Sequence, residues 1–224
     1  MTTPSALPAT PGQSLPWSQV WLYALTRPSE QSYQILLSDP EAKPARGLLW
    51  VGITSLFVTA IAALTQLAFR PEMNQFMSQL EREAGPGARV GSIIFLLLCG
   101  IPLGAIFAVL GTVIYTALVN VVAGALGGKG NFSQLVYLFS AVTAPMGLAS
   151  SLLGIIPIVG CLTLPLGIYS LYLQLLAVKT VHQLDWVRAA VSVLVLVILV
   201  VLIAAVCAFA ILVPVFGEAM RSSF

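Results

Sequence analysis

Four long stretches of this chain carry no charged residue: 47–69, 90–128, 135–178 and 189–217. A helix crosses the hydrocarbon core of a bilayer, about 30 Å thick, with about 20 apolar residues. The first stretch predicts one span at 48–69, closed by Arg70-Pro71. The second exceeds one crossing, because a straight helix over 90–126 would reach about 55 Å. Gly100-Ile-Pro-Leu-Gly104 is the expected bend, with 90–99 as an apolar approach segment and 101–126 as the second span. Two short spans are the rival division. The third stretch holds two spans, 132–156 and 164–181, around an uncharged turn containing Pro157 and Pro165. The last gives a fifth span at 189–213, ended by Pro214. The expected fold is therefore all-α, a polytopic membrane protein of five transmembrane helices.

Shorter patterns surround the spans. Residues 1–16, rich in Pro, Thr, Ser and Ala, read as a disordered tail. Trp17, Val20, Trp21, Ala24 and Leu25 then recur at helical spacing, with Ser14 as an N-cap and Arg27-Pro28 as a stop. Trp favours the headgroup level, so Trp17 and Trp21 are candidate interfacial anchors of a surface helix. The same face can instead pack on the protein itself. Residues 28–38 repeat the pattern more weakly, and 39–46 read as a polar linker. The chain thus divides into an amphipathic segment at 17–46, a membrane domain at 47–214 and a short tail at 215–224. In the loop after the first span, Met73, Phe76, Met77 and Leu80 predict an amphipathic helix, broken by Gly85-Pro-Gly87.

Charge sets the orientation. Arg27, Lys43, Arg46, Lys129, Lys179 and Arg188 fall on the N-terminal side of the spans, against Arg70, Arg82, Arg89 and Arg221 on the other. The positive-inside rule puts the N-terminus in the cytoplasm and the C-terminus outside. The first basic residue is Arg27, so no leader pattern precedes the first apolar run, which is expected to act as an uncleaved insertion signal. Of 224 residues, 8% are charged and the net charge is +2. Nucleic-acid binding needs a dense basic face, and this balance does not supply one.

Chemistry inside a bilayer needs polar groups at depth. Apart from Lys179 near the end of the fourth, the predicted spans hold no Asp, Glu, Lys or Arg, and His182, the only histidine, stands at a span end. Neither a carboxylate pair nor a metal site is supported, and a Ser nucleophile would lack a base. No catalytic residue, cofactor or metal is expected. Cys99, Cys161 and Cys207 are odd in number, widely spaced and set in apolar runs, which suits packing. Ser140, Thr143, Ser150, Ser151, Thr112 and Thr116 are expected to bond from helix to helix. Asn120 and Gln174 are the strongest mid-span polar residues; they can bond each other across two spans or line a polar passage. Gly127-Gly-Lys-Gly130 lacks the Gly and Ser/Thr positions of a nucleotide-binding loop. It reads as a tight turn or as a cytoplasmic docking motif formed by Gly127, Gly128, Lys129 and Gly130.

From the second span onward the chain resembles the Ypt-interacting-protein (Yip) domain family, in its prokaryotic form. The shared features are Gly127-Gly-Lys-Gly130 closing the second span, Phe132-Ser-Gln-Leu135 opening the third, Ala144-Pro145 within it, and Arg188-Ala-Ala190 opening the last. Leu25-Thr-Arg-Pro28 resembles the lead-in of prokaryotic members. The resemblance implies a five-span fold with a cytoplasmic N-terminus. It also implies kinship with proteins of vesicle formation that associate with Rab-type GTPases. The Asp-Leu-Tyr-Gly-Pro segment of those relatives is missing here, which argues against GTPase binding. The expected function is a non-enzymatic scaffold or adaptor in a bacterial inner membrane. Its expected partners are the lipid bilayer and, on the cytoplasmic face, another protein or a second copy of the chain. Lipid or small-solute translocation through a kinked bundle is the alternative.

Overall fold

The computed structural model describes residues 14–69, 71–156 and 159–221; the side chains at 72, 200, 204, 207, 208 and 210–221 lie outside that description. Expectations for residues 1–13, for Pro157 and for the Cys207 side chain therefore fall outside it. Among the described residues all regular structure is helical. Two short helices, α1 (Trp17–Thr26) and α2 (Glu30–Leu37), precede the first long one, α3 (Pro44–Phe69). A polar helix, α4 (Pro71–Ala84), and a short apolar one, α5 (Ala88–Phe95), follow. The remaining long helices are α6 (Ile101–Ala125), α7 (Phe132–Gly154), α8 (Thr163–His182) and α9 (Trp186–Arg221). Five helical stretches, α3, α5–α6, α7, α8 and α9, are long and apolar enough to cross a membrane.

The expected bend at Gly100–Gly104 takes a different form. Residues 88–125 form one continuous rod, with a π turn at Leu96–Gly100 just before Pro102. Proline lacks the N–H of the normal ladder and its ring crowds the carbonyl four residues back. A π turn there opens the ladder and lets the helix continue. Pro214 likewise fails to end α9, which runs on to Arg221. Ser14 is not the N-cap of α1; Pro16 holds that position with no side-chain bond. At α4–α5 the pattern holds, with Gly85 and Gly87 at φ +93° and +109° between the two helices.

α7 is the hub. It packs on α3, α6 and α8, and α9 packs on α6 and α8. Residues 135–142 of α7 are all buried, whereas most of α5–α6 faces outward. Gly104 brings α6 close to α3, where a Cβ would stand 2.7 Å from Thr59 Cγ2. α1 packs on α7 and α2 on α8. Val20, Ala24, Tyr33 and Leu36 are fully buried by this docking. The starts of α3, α7 and α9 and the ends of α6 and α8 thus share one face with α1 and α2, called the N-terminal face below.

Candidate functional site at the N-terminal face

The Gly127-Gly-Lys-Gly130 loop is a helix stop built on a neighbouring helix. Gly127 adopts φ +93°, its N–H donates to Gly124 O at 3.0 Å, and Gly128 N–H donates to Ala123 O at 2.9 Å. These two bonds make a Schellman motif, which favours glycine at the left-handed position. The loop then closes on the end of α8. Gly130 N–H donates to His182 Nδ1 at 3.2 Å, and Lys129 N–H to His182 O at 3.2 Å. A Cβ at Gly128 or Gly130 would come within 2.8 Å of the His182 ring. Three glycines are therefore set by one backbone angle and two close approaches, while Lys129 points outward. Because Nδ1 accepts, His182 is neutral, with its proton on Nε2. That Nε2 is buried and has no partner. Arg188 continues the seam, donating from Nη1 to Leu126 O at 3.3 Å.

α1 docks on the bundle. Trp17 and Trp21 both meet Trp50 of α3 edge-on, with ring centroids 5.9 and 6.1 Å away, and Trp50 meets Tyr137 of α7 at 5.4 Å. Trp17 stays partly exposed beyond this contact. α2 is held as firmly. Ser29 caps it by accepting from Ser32 N–H at 3.1 Å. The Tyr33 hydroxyl donates to Ala24 O at 3.3 Å and to Leu173 O at 3.5 Å, joining α1, α2 and α8. Burial pushes the Tyr33 phenol well above its ordinary range. The Tyr169 hydroxyl donates to Leu25 O, and Lys179 pairs with Glu30.

The polar linker at 39–46 hides an internal ion pair. Arg46 Nη1 donates to Asp39 Oδ2 at 3.0 Å, and the Asp39 side chain is wholly buried. Asp39 also accepts from Leu15 N–H at 3.3 Å and Glu41 N–H at 2.9 Å. Arg46 donates from Nη2 to Leu15 O and stands 5.3 Å above the Trp50 ring. The clasp fixes the chain just before α1 to the first turn of α3. Asp39 and Arg46 look like ordinary linker charges in the sequence, and no local pattern sets them apart.

The polar residues expected at mid-span pair differently from expectation. Gln174 Oε1 accepts from the Tyr115 hydroxyl at 3.0 Å, and its Nε2 donates to Ser170 Oγ at 3.4 Å. Asn120 does not partner it, and Asn120 Oδ1 is buried without a partner. The hydroxyls mostly turn back on their own helices. Thr112, Thr116 and Ser151 donate to Ala108, Thr112 and Leu148 carbonyls at 2.9, 2.7 and 2.9 Å. Ser140 Oγ and Thr143 Oγ1 find no partner. Such back-bonding saves a hydroxyl from needing a neighbour in lipid. Cys99 and Cys161 lie on the outside of the bundle, not in its core.

Long apolar helices around a buried central one, capped at one face by two docked amphipathic helices, define a multi-pass membrane protein. The family model described as the Yip1 domain matches residues 22–208. The chain belongs to the Yip1 domain family. The match takes in the second half of α1, all of α2 to α8 and most of α9, so the docked helices belong to the domain with the spans. No curated protein and no solved structure matches the chain.

Proposed function

We propose that the protein is a non-enzymatic membrane scaffold or adaptor, with its N-terminal face in the cytoplasm of a bacterial cell and its spans in the inner membrane. The observation that carries this reading is the docking of α1 and α2, whose Val20, Ala24, Tyr33 and Leu36 are fully buried against the bundle. A platform already ordered loses little freedom when a partner binds. Lys129 projects from it on a loop fixed at both ends, next to Arg188. The excess of basic residues on this side supports the orientation. The partner is not expected to be a GTPase.

The test is cross-linking of the full chain in its own membrane, followed by affinity capture and mass spectrometry. The expected result is a stoichiometric protein, or a second copy, cross-linked near Lys129 or α1. Replacing Trp17 and Trp21 together by Ala, or Lys129 by Ala, should reduce that capture while the spans remain inserted. No captured protein, or capture unchanged by both variants, overturns the platform. A second reading, passage of lipid or small solute, draws on the buried polar atoms Asn120 Oδ1, Ser140 Oγ and Thr143 Oγ1. Proteoliposomes that move neither class of molecule would rule it out.

A further inference from the structure

Where α2 crosses α8 and the start of α9, the surface holds a groove of about 490 Å³. Ser29, Glu30, Gln31 and Gln34 line one wall, and Tyr172 and Trp186 the other. The Glu30 carboxylate pairs with Lys179, whose Nζ stands 4.5 Å from the Trp186 ring centroid. Tyr172 and Trp186 are stacked, with centroids 6.1 Å apart and planes 11° apart, and Tyr169 extends the row at 6.3 Å from Tyr172. The groove therefore presents the Glu30 carboxylate, two side-chain amides and an aromatic surface already seen to hold an ammonium group, with Lys179 pairing to Glu30 from outside the lining.

Two further observations point to the occupant. A partly exposed row of Tyr and Trp favours the headgroup level, and α2, whose Tyr33 donates to Leu173 O, covers the same stretch of α8. Directly along the α8 face from Tyr172, at helical spacing, Ile168 is 70% exposed and Leu164 is 73% exposed. The polar groove thus opens onto an apolar track suited to a hydrocarbon tail. Glu30 of the lining is neutralised by the Lys179 paired to it, so a zwitterion matches the groove better than an anion.

We propose that this groove binds the headgroup of a zwitterionic phospholipid bearing a primary ammonium, of the phosphoethanolamine type. The headgroup ammonium takes the place that Lys179 now holds against Glu30 and the aromatic row. The phosphate accepts from the released Lys179 and from the Gln31 and Gln34 amides. A choline headgroup carries a similar charge but has no N–H to give Glu30, so it is the weaker ligand. The site is independent of the platform reading, since a lipid can occupy it whether or not a protein partner exists.

The test is native mass spectrometry of the full chain, released from detergent with equal amounts of phosphatidylethanolamine, phosphatidylcholine and phosphatidylglycerol. The expected result is one phosphatidylethanolamine retained in preference to the other two. Glu30→Gln and Lys179→Met should each lower that retention about tenfold, the scale of one lost charge-assisted bond. Both substitutions also cut the bridge from α2 to α8, so Tyr172→Leu, which leaves the Glu30–Lys179 pair in place, must lower retention as well. Equal retention of the three lipids, preference for phosphatidylglycerol, or retention unchanged in Tyr172→Leu overturns the proposal. Free phosphoethanolamine is added in a separate arm. If it displaces the lipid at millimolar concentration, the ligand is a soluble phosphoamine and the lipid assignment falls; the expected result is no displacement.

Discussion

The Asp39–Arg46 clasp gives a prediction whose magnitude follows from its burial. Asp39 is 0% exposed at its side chain and Arg46 is 13% exposed. Removing one partner of a buried ion pair typically costs about 3–5 kcal/mol, because the other charge stays buried without compensation. The low end applies here, since Asp39 keeps N–H donors from Leu15 and Glu41 at 3.3 and 2.9 Å. Arg46→Met should therefore raise the local opening of α1 by about a hundredfold, the equivalent of about 3 kcal/mol. The spans should stay folded, since Arg46 lies in the first turn of α3 and its bonds go to Asp39 and Leu15. Hydrogen exchange of the full chain in nanodiscs reads this directly, through lost protection at 15–26 with protection at 132–154 unchanged. The double variant Asp39→Asn with Arg46→Met removes both charges and should recover much of the protection. Arg46→Lys should fall between, because a single ammonium cannot reproduce the fork that reaches both Asp39 and Leu15 O. If the double variant is no better protected than Arg46→Met, an uncompensated charge is not the cause, and the reasoning fails.

Two other perturbations test the seams between helices. Gly130→Ala would place a Cβ 2.7 Å from Val181 Cγ1 and 2.8 Å from the His182 ring. It should cost about 1–3 kcal/mol as overpacking, whereas Gly124→Ala, with nothing within 4 Å, should be neutral or slightly stabilising. Thermal melts in detergent should separate the two, and equal melting temperatures would refute the close approach. Tyr115→Phe leaves Gln174 Oε1 without its 3.0 Å donor. It should lower stability by about 1 kcal/mol, the usual scale of a bond between transmembrane helices. Adding Gln174→Leu should restore most of the loss, as measured by the same melts.

The membrane spans are legible in the sequence because a water-facing helix needs charged or polar residues along its outer face, and charge-free runs this long supply none. The relative burial of the spans is harder to read, and the reason lies in the solvent. In water the most apolar helix goes to the centre. In lipid the exposed helices must be apolar and the central one need not be. α7, the most buried span, has the lowest hydropathy of the five, while α5–α6 and α9 have the highest. The Ser, Thr and Tyr content of α7 is the available sign, but in the sequence it points as readily to hydrogen bonding as to a central position. The glycine loop is legible as a tight turn, but its dependence on His182 is not, since 52 residues separate Gly130 from that acceptor. The Asp39–Arg46 clasp is invisible for a related cause. Two charges seven residues apart around two prolines look like any solvated linker until a third element, Leu15, closes over them.

Polar locking is unevenly distributed through this molecule, and that asymmetry bears on function. Among the described residues the ion pairs Lys43–Glu41, Arg46–Asp39, Lys179–Glu30 and Arg188–Asp185 all lie at the N-terminal face. The same face holds the His182 clasp and the Tyr33 bridge. At the opposite end α4 touches α5 and the end of α3, and α5 faces outward along its length. Tertiary packing supplies most helix stability in proteins, so exchange protection should fall from the N-terminal face toward α4 and α5. A partner that needs an ordered surface costs the least ordering at the face that is already locked. On the proposed reading, the N-terminal face is the surface whose shape is held constant for a partner.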